Sequence, residues 1–202
     1  MRGMFSFLYY PNVPTTSTLN LNVGSLDTSN VTNMQGVFAV NYGWNNGGSP
    51  SISGWDTSKV TNFIQTFYIC NSFNQPIGSW DTSSARNMYG MFRSAVDFNQ
   101  DLSNWDTSNV TNMGFMFNGA TSFDQNLQSW DVSSLTYALN FVSSSHVFSL
   151  YNYNRILIGW APQNVNTVSI DFGSSQYSAG PAHSARATLI SKGWTITDGG
   201  QV

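Results

Sequence analysis

Five aspartates are the residues whose type and spacing come closest to a chemical device. Asp56, Asp81, Asp106 and Asp131 each follow a tryptophan and stand 25 residues apart, and Asp27 precedes Asp56 by 29. If the repeats stack as strands, the carboxylates form a column about 5 Å apart, and like charges facing each other there are unfavourable. Two chemistries would compensate. Each carboxylate could accept hydrogen bonds from N–H or hydroxyl groups two or three residues on, as an Asx-turn. Alternatively the column could bind Ca²⁺ or a polar ligand. Calcium takes roughly six to eight oxygen ligands, and one monodentate Asp per repeat is thin provision, so the structural account is expected and no metal is assigned.

The remaining catalytic inventory is poor. His146 and His183 are the two histidines, and Ser and Asp abound, but nothing assembles them at a recognisable spacing. Nucleophile-elbow, zinc-protease, phosphate-loop and paired-cysteine motifs are missing. No catalytic residue, no cofactor and no enzymatic activity are expected. Cys70 is the single cysteine and falls in register with Ala95 and Ala120, which marks it as a small buried residue.

Composition narrows the classes further. Charged residues make up 8% of the 202 and aromatic residues 15%, with a net charge of −3. Soluble domains usually carry about a quarter charged residues, so the polar surface must come from Ser, Thr, Asn, Gln and Gly. That balance suits extracellular modules, fibres and virion parts. Five scattered Arg give no basic stripe to displace counterions, so no nucleic-acid partner is expected. No apolar run approaches the eighteen or so residues of a membrane span, and the first residues lack the features of a signal peptide.

The elements that position the aspartates are repeats. Trp-Asp-Thr-Ser begins at Trp55, Trp80 and Trp105, Trp-Asp-Val-Ser at Trp130, and a fifth copy at Leu26. The four extra residues of the first copy fall at Gly47-Gly48-Ser49-Pro50. Seven residues after the aspartates come Met34, Phe63, Met88 and Met113. Eleven after come Phe38, Phe67, Phe92, Phe117 and Val142, and seventeen after come Trp44, Phe73, Phe98, Phe123 and Phe148. Met1-Arg2-Gly3-Met4-Phe5 aligns with Met88 to Phe92, so the sequence opens in mid-coil and is expected to expose a slice of core there.

Within a coil, Met113, Met116, Phe117 and Ala120 have helical spacing, which predicts a short helix over 110–119 capped by Ser108 or Asn109. Leu102, Trp105 and Thr107 predict a short strand with those side chains inward. Asn104, Asp106 and Ser108 then point outward. The inward reading assigns the Trp column and the Thr column (Thr28, Thr57, Thr82, Thr107, with Val132 in fifth place) to the core. It argues against sugar-stacking tryptophans and an ice-binding threonine array.

The pattern Leu-x-x-Trp-x-Thr-Ser-x-Val-x-x-Met-x-x-Met-Phe-x-x-Ala-x-x-Phe, from Leu102 to Phe123, resembles the BspA-type leucine-rich-repeat surface proteins. The likeness lies in the branch with Trp-Asp-x-Ser and Asn-Met-x-x-Met-Phe signatures and covers residues 1 to about 150. It implies an α/β repeat solenoid, leucine-rich-repeat-like, on a bacterial, protist or viral surface and often linked to adhesion, with diverse ligands.

From Tyr151 the period fails. A helix over Tyr153–Trp160, a strand over Val165–Phe172, a helix over Pro181–Lys192, a strand over Trp194–Thr197 and a turn at Gly199-Gly200 are expected. Residues 1–150 are therefore read as about five to six coils, and 151–202 as a C-terminal capping unit.

Two functions follow. The first is an extracellular or cell-surface recognition module, binding a glycan or protein through Gly54, Ser79, Asn104 and Ser129 with Asp56, Asp81, Asp106 and Asp131. The second is a structural subunit of a fibre or virion that meets neighbouring subunits through Met1, Met4, Phe5, Tyr9 and Tyr10, the last two beside the Pro11–Thr18 insertion.

Overall fold

The computed structural model describes residues 23–45 and 51–202. Each aromatic column becomes a stack of rings. Phe38, Phe67, Phe92 and Phe117 lie nearly parallel at centroid spacings of 5.4, 5.6 and 5.4 Å. Trp44, Phe73, Phe98 and Phe123 form a second stack at 5.7, 5.7 and 5.9 Å. The stacks touch within each unit, with Phe67–Phe73 and Phe117–Phe123 both 3.8 Å apart. All eight rings are buried, so removing one would cost roughly 3–5 kcal/mol through lost burial and a cavity.

The helix expected over 110–119 does not form, nor do its counterparts. Among the described residues before Leu150 the only helical segment is a 3-10 turn at Ile52–Gly54. In place of a helix each unit runs as overlapping three-residue turns. Met91, Arg93 and Ala95 donate their N–H groups to the carbonyls of Met88, Gly90 and Phe92. The alternate N–H groups, of Met88, Gly90, Phe92 and Ser94, donate instead to Asn112, Gly114, Met116 and Asn118 in the next unit. Left-handed residues recur at two columns: Gly36, Gln65, Gly90, Phe115 and Asn140, then Val40, Ile69, Ser94 and Gly119, with φ between 52° and 80°. A left-handed residue cannot continue a right-handed helix. A chain turning every three residues still puts Met113, Met116, Phe117 and Ala120 inward, which is why the helical spacing misled.

The strand expected at Leu102–Thr107 also fails to pair. Side chains there do alternate between buried and exposed, but neighbouring units are joined by side chains and not by a backbone ladder. Thr57, Thr82 and Thr107 donate their hydroxyls to the carbonyls of Asp81, Asp106 and Asp131 at 2.9, 2.9 and 2.8 Å. Trp55, Trp80, Trp105 and Trp130 donate their indole N–H groups to Val23, Ile52, Ile77 and Leu102. Parallel bridging occurs a few residues later, as single bridges along Asn33, Asn62, Asn87, Asn112 and Tyr137.

Among the described residues the regular helices and strands belong to the last part of the chain. Helix α1 spans Leu150–Trp160 and α2 spans Pro181–Ser191; β1 (Ser169–Asp171) and β2 (Thr195–Thr197) pair in parallel. α1 packs on α2, and Ala138 bridges to Ile170, so β1 and β2 continue the stack. Trp160 and Trp194 keep the indole pattern, donating to Leu127 and Asn166. The unit-to-unit N–H groups of the turn ribbon, such as those of Met88, Gly90, Phe92 and Ser94, point toward this end, and Asp171 meets the last of them. Its carboxylate accepts the N–H of Asn140 at 2.8 Å and its carbonyl that of Val142.

Candidate functional site

The aspartates lie on one face and are exposed at Asp27, Asp56, Asp81 and Asp106, with Asp131 half-buried. Each accepts the backbone N–H of the serine two residues on, at 2.8–3.0 Å. In the first four the same oxygen also accepts the serine hydroxyl at 2.6–2.7 Å. These are Asx-turns, and the donors hold the carboxyls of Asp27, Asp56 and Asp106 below the usual carboxylate value. One carboxylate oxygen of each is thus committed to the turn that starts its unit. Among the described residues no three His, Cys, Asp or Glu side chains converge on a possible metal position.

Ser79, Asn104 and Ser129 are exposed beside this column. Ser79 and Ser129 spend their hydroxyl protons on the carbonyls of Ser53 and Ser103, one unit back. Ser129 also lines a shallow cleft of about 450 Å³, together with Ser103, Asn126, Gln128, Ile158, Gly159 and Pro162, where α1 meets the last units. Met1, Met4, Phe5, Tyr9 and Tyr10, the expected assembly surface, lie outside the described residues.

The buried polar groups sit apart from these surfaces. His146 is buried with Nε2 unpaired, and burial lowers its pKa, opposed more weakly by Asp124 and the Phe123 carbonyl. Tyr153 donates to Asp198 at 2.6 Å, and Arg186 pairs with the same carboxylate at 2.7 Å beneath α2. His183 lies on the Tyr177 ring, 6.1 Å between centroids. Among the described residues no nucleophile is hydrogen-bonded to either histidine ring.

A different surface carries a cluster of aromatics, half-buried at Tyr68, Tyr89 and Phe115 and exposed at Tyr137. On the outer side of the turn ribbon, the side chains of Tyr68, Tyr89, Arg93, Phe115 and Tyr137 form one patch across four units. The Arg93 guanidinium lies over Tyr68 on one side and Phe115 on the other, 5.6 and 5.0 Å from the ring centroids. Tyr89 and Phe115 tilt together at 5.5 Å. The Tyr137 ring passes over Gly114, where any Cβ would collide with Cδ1 and Cε1. Tyr137 and the adjoining Leu139 are exposed.

Sequence reasoning passed over this patch because it followed the columns that stay constant. A constant column does the same structural job in every unit. The readable signal was the opposite one: eight residues after the aspartate stand Gln35, Ile64, Tyr89, Gly114 and Leu139, and twelve after stand Ala39, Tyr68, Arg93, Asn118 and Ser143. These positions differ from unit to unit while the core around them does not.

No curated protein and no solved structure matches this chain at a significant level. One family model does, over residues 1–49 and 45–156, which together take in all of the repeats. It describes a Mycoplasma protein of unknown function, DUF285, and with more than half of its length matched the chain belongs to that family.

Proposed function

We propose that this chain is a non-enzymatic recognition or adhesion module of the BspA-like kind, a leucine-rich-repeat-like solenoid displayed on an extracellular or cell surface. The observation that carries the reading is the contrast between a uniform frame and a varied outer face. The frame repeats the same Trp, Thr, Phe and Asp bonds in unit after unit. The outer face of the turn ribbon changes and gathers Tyr68, Tyr89, Arg93, Phe115 and Tyr137 into one patch. Tyr and Arg dominate the energetics of recognition surfaces, and varied positions on a uniform repeat frame are where specificity is built. The aspartate face supports the reading less well, because one oxygen of each carboxylate and the serine hydroxyls beside it are engaged in Asx-turns and unit-to-unit bonds.

Binding of the purified chain to intact cells, read by flow cytometry, tests the proposal. Saturable binding is expected, and Tyr89→Ser/Phe115→Ser/Tyr137→Ser should lose it while Asp81→Asn/Asp106→Asn keeps it. Binding lost only in the aspartate variant would move the site to that face. Failure to bind saturably to any cell type would sink the recognition reading.

A further inference from the structure

Arg93 is a cation held between two rings with no anion beside it. Among the described residues the one ion pair is Arg186–Asp198, on the far helix α2, and the Arg93 side chain has no hydrogen-bond acceptor of its own. Cation–π contact with Tyr68 and Phe115 holds the guanidinium at the patch. Its N–H donors are left without a protein acceptor among the described residues, and a planar fork of donors suits a carboxylate in bidentate contact.

The backbone around it offers nothing to a partner. Gly90, Phe92 and Ser94 donate to the next unit, Met91, Arg93 and Ala95 donate within the turns, and the carbonyls of Asn87, Tyr89, Met91 and Arg93 accept from the previous unit. An extended peptide gains affinity by pairing its main chain with an open edge, and around Arg93 the ribbon has no open edge. Only side-chain faces remain. The Tyr137 ring rests on the Gly114 floor and is exposed on its outer side, which is a platform for the C–H face of a sugar ring.

We propose that this patch binds an acidic glycan, with a sugar carboxylate in the Arg93 fork and a neighbouring sugar ring stacked on Tyr137. The inference rests on the recognition reading above and adds the ligand class. A charge-assisted bond contributes about 1.5–3 kcal/mol, so losing the pair should weaken binding by about ten- to a hundredfold.

The test is binding of the full chain to a panel of uronic-acid and sialic-acid oligosaccharides, their carboxyl-reduced counterparts, and poly-glutamate. The expected result is saturable binding to carboxylated sugars that drops at least tenfold on carboxyl reduction, in Arg93→Gln and in Tyr137→Ser. Arg93→Lys keeps the charge and loses the fork, and should fall between the two. Thermal unfolding of each variant separates lost binding from lost folding. Equal binding to the reduced sugars, unchanged binding by Arg93→Gln, or no binding to any carboxylated sugar overturns the proposal. Arg93-dependent binding to poly-glutamate alone also overturns it, but leaves the recognition reading standing, as does cell binding that survives removal of acidic sugars.

Discussion

Gln163 Oε1 accepts the backbone N–H of Val132 at 2.7 Å, and Gln163 Nε2 donates to the Trp130 carbonyl at 2.8 Å. A side-chain amide from beyond the repeats thereby holds two backbone groups of the last Trp-Asp-x-Ser, groups that make no unit-to-unit bond in the copies at Trp55, Trp80 and Trp105. The arrangement also explains why position 132 is not threonine. In the earlier units that hydroxyl donates to the next aspartate's carbonyl, and Asp131 is the last aspartate of the column.

Threonine and valine should therefore behave in opposite ways along the column. Thr107→Val removes a bond and leaves the Asp131 carbonyl without it, costing about 1 kcal/mol. Val132→Thr buries a hydroxyl with no such carbonyl to receive it, costing about 1–3 kcal/mol. Gln163→Ala should cost a similar amount, because it orphans two backbone groups. Urea unfolding of the three variants checks this, and a stabilising Val132→Thr would contradict the account.

The left-handed columns give a second test. Gln65 holds φ at 52°, where a side chain is strained by roughly 1–2 kcal/mol. Gly90 holds the equivalent position at 59°, and a Cβ there would lie 3.3 Å from Gln65 Cγ. Gln65→Gly should be neutral to stabilising by up to about 1 kcal/mol, since relief of strain outweighs the added freedom of the unfolded chain. Gly90→Ala should destabilise by about 1–2 kcal/mol. If residues 88–95 were helical in solution, Gly90→Ala would stabilise instead, and thermal midpoints decide between the two.

How much of this was legible depended on whether a residue's role is set by burial or by backbone direction. Phe92, Phe98, Trp105 and Thr107 are buried, as their register predicts, because period alone says which side chains face inward. The turn ribbon was not legible. Inward positions at 0, 3, 4 and 7 satisfy a helix and a chain of three-residue turns equally, and only φ at Gln65, Gly90 and Phe115 tells them apart. Of the candidate site, the exposure of Asp106 and Asn104 followed from alternation, whereas the Arg93 slot joins residues from three units whose columns hold no fixed residue type. Asp171 and Gln163 were illegible for the same reason: each closes the stack once, so no repetition marks it.

Cys70 tests the packing of the first described units. Burial pushes its thiol up to about 12, and Sγ donates to the Phe38 carbonyl at 2.9 Å. A thiol reagent at pH 8 should leave the folded protein unmodified and react at the rate of unfolding. Cys70→Ala should cost about 1 kcal/mol or less, since Ala95 and Ala120 occupy the equivalent positions and are equally buried. Rapid modification of the native chain would mean that this stretch opens readily.

The pH dependence of stability should show two separate declines on the acid side. Burial holds the folded His146 below its ordinary value of 6.5, so the unfolded chain takes up the proton first. Stability therefore falls as the pH drops below about 6.5, and levels off once the folded histidine is itself protonated. The carboxyls of Asp27, Asp56 and Asp106 are held below 3.8 by the hydroxyl and N–H donors of Ser29, Ser58 and Ser108. Their contribution is complete above the unfolded value of about 4 and is lost as the pH falls through the folded ones. Urea midpoints from pH 8 to pH 2 should thus decline once near pH 6 and again below about 4. His146→Gln should abolish the first decline and keep the second, while Ser58→Ala/Ser108→Ala should leave the first and shrink the second. A single decline below pH 4 in the unaltered protein would show that His146 is reached by water in the folded state.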